Sequence, residues 1–95
     1  MGAKVALVHL EFRVPGASGL KDKRRWVKGF KDRVSHRWNV SVAEVDGLDD
    51  RHRAVLAVAV VANDGRYLQS VTGKIINAAA EHREMMLVHH ETDRL

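Results

Sequence analysis

The chain has 95 residues, the size of one small domain spanning 1–95. Hydrophobic residues make up 45% and charged residues 29%, which excludes a disordered composition, and the lack of cysteine excludes disulfides, thiol catalysis and thiolate metal sites. No apolar run approaches the ~18 residues of a transmembrane helix. The opening Met1-Gly2-Ala3-Lys4 has no signal-peptide anatomy, so a cytoplasmic protein is expected.

Lys4–Val14 reads as a strand, with Ala6, Val8, Leu10, Phe12 and Val14 on one parity and Val5, Leu7, His9, Glu11 and Arg13 on the other. Pro15-Gly16-Ala17-Ser18-Gly19 is a loop. Leu20–Trp38 reads as an amphipathic helix whose buried stripe is Leu20, Val27, Phe30, Val34 and Trp38. Gly29 weakens that helix and suggests close approach of a neighbouring element. Asn39–Val45 is a short strand, Asp46–Asp50 a polar turn, and Arg53–Ala62 a longer strand that is apolar from Ala54 onward. Asn63-Asp64-Gly65 breaks the chain, with Asp64 as the N-cap of a helix from Arg66 to about His82. That helix buries Leu68, Val71, Ile75 and Ala79, and Met85–Asp93 closes the chain as a fourth strand.

The order β-α-β-β-α-β is that of an α+β, ferredoxin-like domain: a four-stranded antiparallel sheet with two helices on one face. Such a sheet should alternate apolar and polar residues. Here Val5, Leu7, Val55, Ala57, Ala59 and Val61 make the open face apolar as well. Patches of this kind mark interfaces, so a homodimer covering that face is expected, against the alternative of a tolerated Ala/Val surface.

Charge is concentrated in the first helix. Between Leu20 and Trp38 eight basic residues face two acidic ones, a local net of +6, and the rest of the chain carries −2. Lys21, Lys23, Arg24 and Arg25 crowd the positive end of the helix dipole, where cations are mildly unfavourable. With Lys28 and Lys31 they form a candidate phosphate-binding surface for RNA. The competing readings are a solvated face, or ion pairs with the acidic turn Asp46–Asp50. Base stacking on the sheet is excluded, because Ala54–Ala62 has no aromatic residue and the first strand has only Phe12, a core position. Backbone and shape recognition remains. Trp26 reads as a core-edge residue.

Three segments resemble the YlxP-like family of small bacterial proteins. They are Leu20-Lys21-Asp22-Lys23-Arg24-Arg25, Asn39-Val40-Ser41-Val42-Ala43-Glu44-Val45-Asp46, and Arg53-Ala54-Val55-Leu56 leading to Ala62-Asn63-Asp64. The resemblance covers nearly the whole chain. It implies the ferredoxin-like fold, a bacterial cytoplasmic protein without an established activity, and, from the gene neighbourhoods of the family, a link to RNA or the ribosome. One position departs from the pattern: Gly19 stands where the family commonly has serine, leaving Ser18 as the nearest hydroxyl for the helix start.

Other chemistry is thinly supported. His9 and Glu11, with His89 and Glu91, would gather a divalent metal only if the strand register aligned them, and no metal site is assigned. His36, His52 and His82 read as surface residues. No phosphate-binding loop or serine triad is present. An acylphosphatase-like pair of Arg13 and Asn39 lacks the accompanying loop pattern. The expectation is therefore a non-enzymatic protein without cofactor or small-molecule substrate, binding RNA, a ribosomal particle or an acidic protein.

Overall fold

A computed structural model describes residues 2–95; Met1, the first residue of the expected 1–95 domain, lies outside the described residues. Six elements follow in order: β1 (Lys4–Arg13), α1 (Leu20–Arg37), β2 (Val40–Asp46), β3 (Arg53–Ala62), α2 (Gly65–Ala80) and β4 (Met86–Arg94). The sheet order is β2-β3-β1-β4 and every neighbouring pair is antiparallel. This is the ferredoxin-like α+β fold expected from the pattern, and the element ends agree within one or two residues.

Strand parity decides what each face carries. Ala6, Val8, Leu10 and Phe12 of β1 pair with Val60, Val58, Leu56 and Ala54 of β3, and all eight are buried. Both helices close over this face. Val27, Phe30 and Val34 of α1 and Leu68, Val71, Ile75 and Ala79 of α2 join the strand residues in one core. Phe12 and Phe30 meet edge to face at 5.5 Å between ring centres, tying β1 to α1. Trp26 and Trp38 pack at the core margin, as does Ala62 at the end of β3.

Asp64 caps α2 as expected, its carboxylate accepting from the Tyr67 amide at 3.2 Å. The start of α1 is built differently. Gly19 is the N-cap and offers no side-chain bond. Instead Asp22, in the first turn, reaches back to accept from both the Ser18 amide (3.0 Å) and the Ser18 hydroxyl (2.7 Å). The hydroxyl thus serves the carboxylate rather than the helix amides. Gly29 is exposed, with open space where a side chain would sit, so no element approaches it closely.

Two bulges interrupt the ladders, one in β2 between Glu44 and Asp46 and one in β4 opposite Glu11 and Phe12. The extra residues, Val45 and Val88, are both exposed.

Candidate nucleic-acid interface

The first helix separates into two kinds of cation. Lys23 is completely buried, at 0% exposure. It takes the first position of the stripe Lys23, Val27, Phe30, Val34 and so points inward with the core. Its ammonium bonds the Glu44 carboxylate at 3.0 Å and donates to the carbonyls of Gly47 (2.6 Å), Arg53 (3.1 Å) and Leu48 (3.3 Å). Lys23 therefore leaves the set of expected phosphate contacts: its charge is consumed in anchoring α1 to the β2–β3 turn. The physical reason is that three turn carbonyls and a half-buried carboxylate need a donor, and a lysine stem is long enough to deliver one from the helix.

The turn is shaped to receive it. Gly47 has φ +73°, in the left-handed region, and a β-carbon there would stand 3.0 Å from the Arg53 carbonyl that Lys23 uses. Asp46 accepts from the Gly47 amide at 2.8 Å and pairs with Arg53 at 3.3 Å, and these contacts lower its pKa, the Gly47 amide first. Arg53 also donates to Glu11 at 3.0 Å, the main reason its pKa is raised.

The other five candidates reach the surface. Lys21, Arg24, Arg25 and Lys28 are exposed and Lys31 is partly so. Their spacing places them together on the outer flank and crest of α1. Arg25 pairs with Asp22 at 3.4 Å and Lys28 with Asp32 at 2.7 Å, both in open solvent. Lys21, Arg24 and Lys31 have no carboxylate within ion-pair distance among the described residues. The Asp22 carboxyl is held below its usual pKa, chiefly by Ser18 and then by Arg25 and Lys21. It stays ionised, with one oxygen serving Ser18 and the other Arg25, so a single negative charge faces the cluster.

The open sheet face carries Val5, Leu7, Val55, Ala57 and Ala59, each half-buried by its sheet neighbours, and Val61, which is 59% exposed. Register places them side by side: Val5 opposite Val61, Leu7 opposite Ala59, and His9 opposite Ala57. The strip is contiguous and, among the described residues, uncovered.

Register also brings His9 opposite Glu91 and Glu11 opposite His89 on that same face. The four do converge, but Glu11 is engaged by Arg53, and His89 and Glu91 bond each other at 3.2 Å. No group of three such residues among those described is arranged to hold a metal ion. Arg13 and Asn39 lie at opposite ends of the sheet. Arg13 pairs with Arg53 while Asn39 precedes the Val40–Val60 pair, which puts them about 26 Å apart along the strands.

His36 and His52 are exposed, but His82 is not the surface residue its position suggested. Its side chain is 5% exposed, and its Nδ1 accepts the amides of Glu84 (3.1 Å) and Met85 (3.0 Å). Burial, then the nearby Arg33 charge, lowers its pKa.

No described helix is long and apolar enough to cross a membrane. The family model for DUF503, described as a protein of unknown function, matches residues 5–92, and the chain belongs to that family. No curated protein matches it.

Proposed function

We propose that this DUF503 member is a non-enzymatic, cytoplasmic RNA-binding or ribosome-associated module that docks phosphates on the outer face of α1. The carrying observation is the cluster Lys21, Arg24 and Arg25 at the positive end of the helix, with Lys28 and Lys31 continuing it. A helix start assembled for stability alone would not gather so many cations there; an anion from outside would satisfy both the cations and the helix amides. The resemblance to YlxP-like proteins supports the same reading. Recognition would be of backbone and shape, since the sheet offers no aromatic platform.

The reading includes self-association. The contiguous strip Val5, Leu7, Val55, Ala57, Ala59 and Val61 is small-residue and flat, which suits a second copy of the chain packed sheet to sheet.

Fluorescence anisotropy with labelled duplex and single-stranded RNA, at several salt concentrations, tests the α1 surface. Binding should weaken with a log–log slope of about −0.7 to −0.9 per phosphate contact. Lys21→Gln, Arg24→Gln, Arg25→Gln together should flatten that slope by about 2–3. A salt-insensitive complex of fixed stoichiometry with an acidic protein, and none with RNA, would replace RNA by a protein partner.

A further inference from the structure

A second surface lies away from the α1 crest. The C-terminal half of α1 and the end of α2, with the loop that follows it, enclose a cleft of about 530 Å³. Ligand clefts occupy roughly 300–1,000 Å³, so this one suits a small molecule. Its lining is chemically mixed in a specific way. Trp38, the C-cap of α1, supplies half-buried aromatic surface, and Phe30, 1% exposed, closes the floor beneath it. Arg33, Arg37 and Arg83 converge on it from two separate elements, and none has a carboxylate within ion-pair distance among the described residues. The Arg37 guanidinium carbon lies 4.8 Å from the Trp38 ring centre, a cation–π contact that brings this charge beside the aromatic surface.

His82 stands beside this aromatic surface, 6.1 Å from the Phe30 ring in an edge-to-face arrangement. Because its Nδ1 lone pair receives two backbone amides, the ring is neutral and carries its proton on Nε2. It therefore presents a donor without adding a charge. Glu81 and Glu84 also line the cleft, as acceptors.

The combination narrows the ligand. Three unpaired arginines repel a cation and would gain nothing from a purely apolar molecule. An inorganic anion would leave the aromatic surface and most of the volume unused. We propose that the cleft binds a planar aromatic anion, a ring system bearing one phosphate or carboxylate and no larger than a nucleoside monophosphate. The anionic group is met by the arginine donors and the ring by Trp38, while Glu81 or Glu84 accepts from ligand hydroxyl or amino groups. None of the α1 crest residues Lys21, Arg24, Arg25, Lys28 or Lys31 lines the cleft, so the proposal stands or falls apart from RNA binding.

The test uses the full chain carrying Trp26→Phe, which leaves Trp38 as the sole tryptophan. Its emission is titrated with uridine monophosphate, 4-hydroxybenzoate, uridine and inorganic phosphate. Saturable quenching is expected from one or both aromatic anions with a Kd of about 1 mM or tighter. The arm that binds identifies phosphate or carboxylate as the anionic group. Uridine and phosphate alone should bind at least tenfold more weakly, as should either aromatic anion to an Arg33→Gln, Arg83→Gln variant. Amide chemical shifts of the unsubstituted protein provide a readout independent of variant folding: changes should fall on the α1 C-terminus and on residues 78–84. No saturable binding by either aromatic anion would overturn the proposal. So would inorganic phosphate binding as tightly, an unchanged affinity in the double variant, or shifts confined to Lys21–Lys31.

Discussion

Replacing Lys23 by methionine keeps the stem volume but removes the ammonium. The Glu44 carboxylate and the carbonyls of Leu48 and Arg53 then lose this donor, while the Gly47 carbonyl keeps the Asp50 amide at 2.9 Å. Breaking one side of a buried ion pair costs about 3–5 kcal/mol. Each buried carbonyl left unpaired costs a further ~1–3 kcal/mol unless water reaches it. The Glu44 side chain is 15% exposed, so water enters from that side and the lower end of the summed range is the better expectation. A loss of about 5 kcal/mol lowers Tm by roughly 20 °C or more in a domain of this size. Urea unfolding followed by circular dichroism measures it, with the unchanged slope m confirming a true stability change. Adding Glu44→Leu to Lys23→Met should recover part of the loss, because the orphaned carboxylate is gone. Recovery should be incomplete, since the carbonyls of Leu48 and Arg53 remain. A Lys23→Met loss below about 1 kcal/mol would refute the argument, by showing that the carbonyls are already served by water. So would an unchanged Tm accompanied by lost RNA binding, which would return Lys23 to the contact surface.

Three further outcomes follow from neighbouring geometry. Gly47→Ala should cost about 1–2 kcal/mol from its positive φ alone, and more from the 3.0 Å approach to the Arg53 carbonyl, measured as a drop in urea midpoint. His82 should make the fold sensitive to acid. Its folded pKa lies below the ordinary 6.5, so the unfolded chain takes up the proton first. Its contribution is complete above pH 6.5 and is lost as pH falls toward and through the folded value; melting curves across that window should show the decline, and His82→Asn should flatten it. Deletion of the ring in Phe12→Ala should cost about 3–5 kcal/mol, because Phe12 is fully buried against Phe30 and the site between sheet and helix cannot collapse.

Most of the fold was legible because one physical signal dominated each element. Ala6 through Phe12 alternate, Leu68 through Ile75 repeat at helical spacing, and Asp64 sits where a cap belongs. The bulges were not legible, because an extra residue such as Val45 or Val88 preserves an apolar sequence while shifting the register. Lys23 was misjudged for a related reason. Residue type suggested solvent, whereas the spacing 23, 27, 30, 34 suggested the core, and the spacing won. The signal that could have found it was the four-residue step back from Val27, which puts position 23 in line with the stripe, whereas Leu20, read as its first member, is only half-buried. His82 gave no such clue. Its burial depends on the path of the loop after α2, and it is that path, not the sequence pattern, that aims the Glu84 and Met85 amides at its ring. The convergence of Arg33 and Arg37 with Arg83 was equally hidden, since it joins residues about 50 positions apart whose meeting depends on how the helices lie on the sheet.

The motif Leu20 to Arg25 therefore alternates between two environments. Asp22 and Lys23 build the helix start and its anchor, while Lys21, Arg24 and Arg25 face solvent, Arg25 with a surface contact to Asp22. A variant that neutralised the whole basic run would lose RNA binding for either of two reasons, unfolding or lost contacts, and the two would look alike in an anisotropy titration. The surface triple Lys21→Gln, Arg24→Gln, Arg25→Gln avoids the ambiguity. It retains the Lys23–Glu44 pair and the Ser18–Asp22 bonds, and of the ion pairs it removes only the solvent-exposed Arg25–Asp22 contact, of a kind that adds little to stability. Its Tm should stay within a few degrees of the parent, or rise slightly as like charges leave the positive end of the helix dipole. Under that condition a flattened salt dependence reports phosphate contacts alone, and an unchanged one places the basic helix outside any RNA interface.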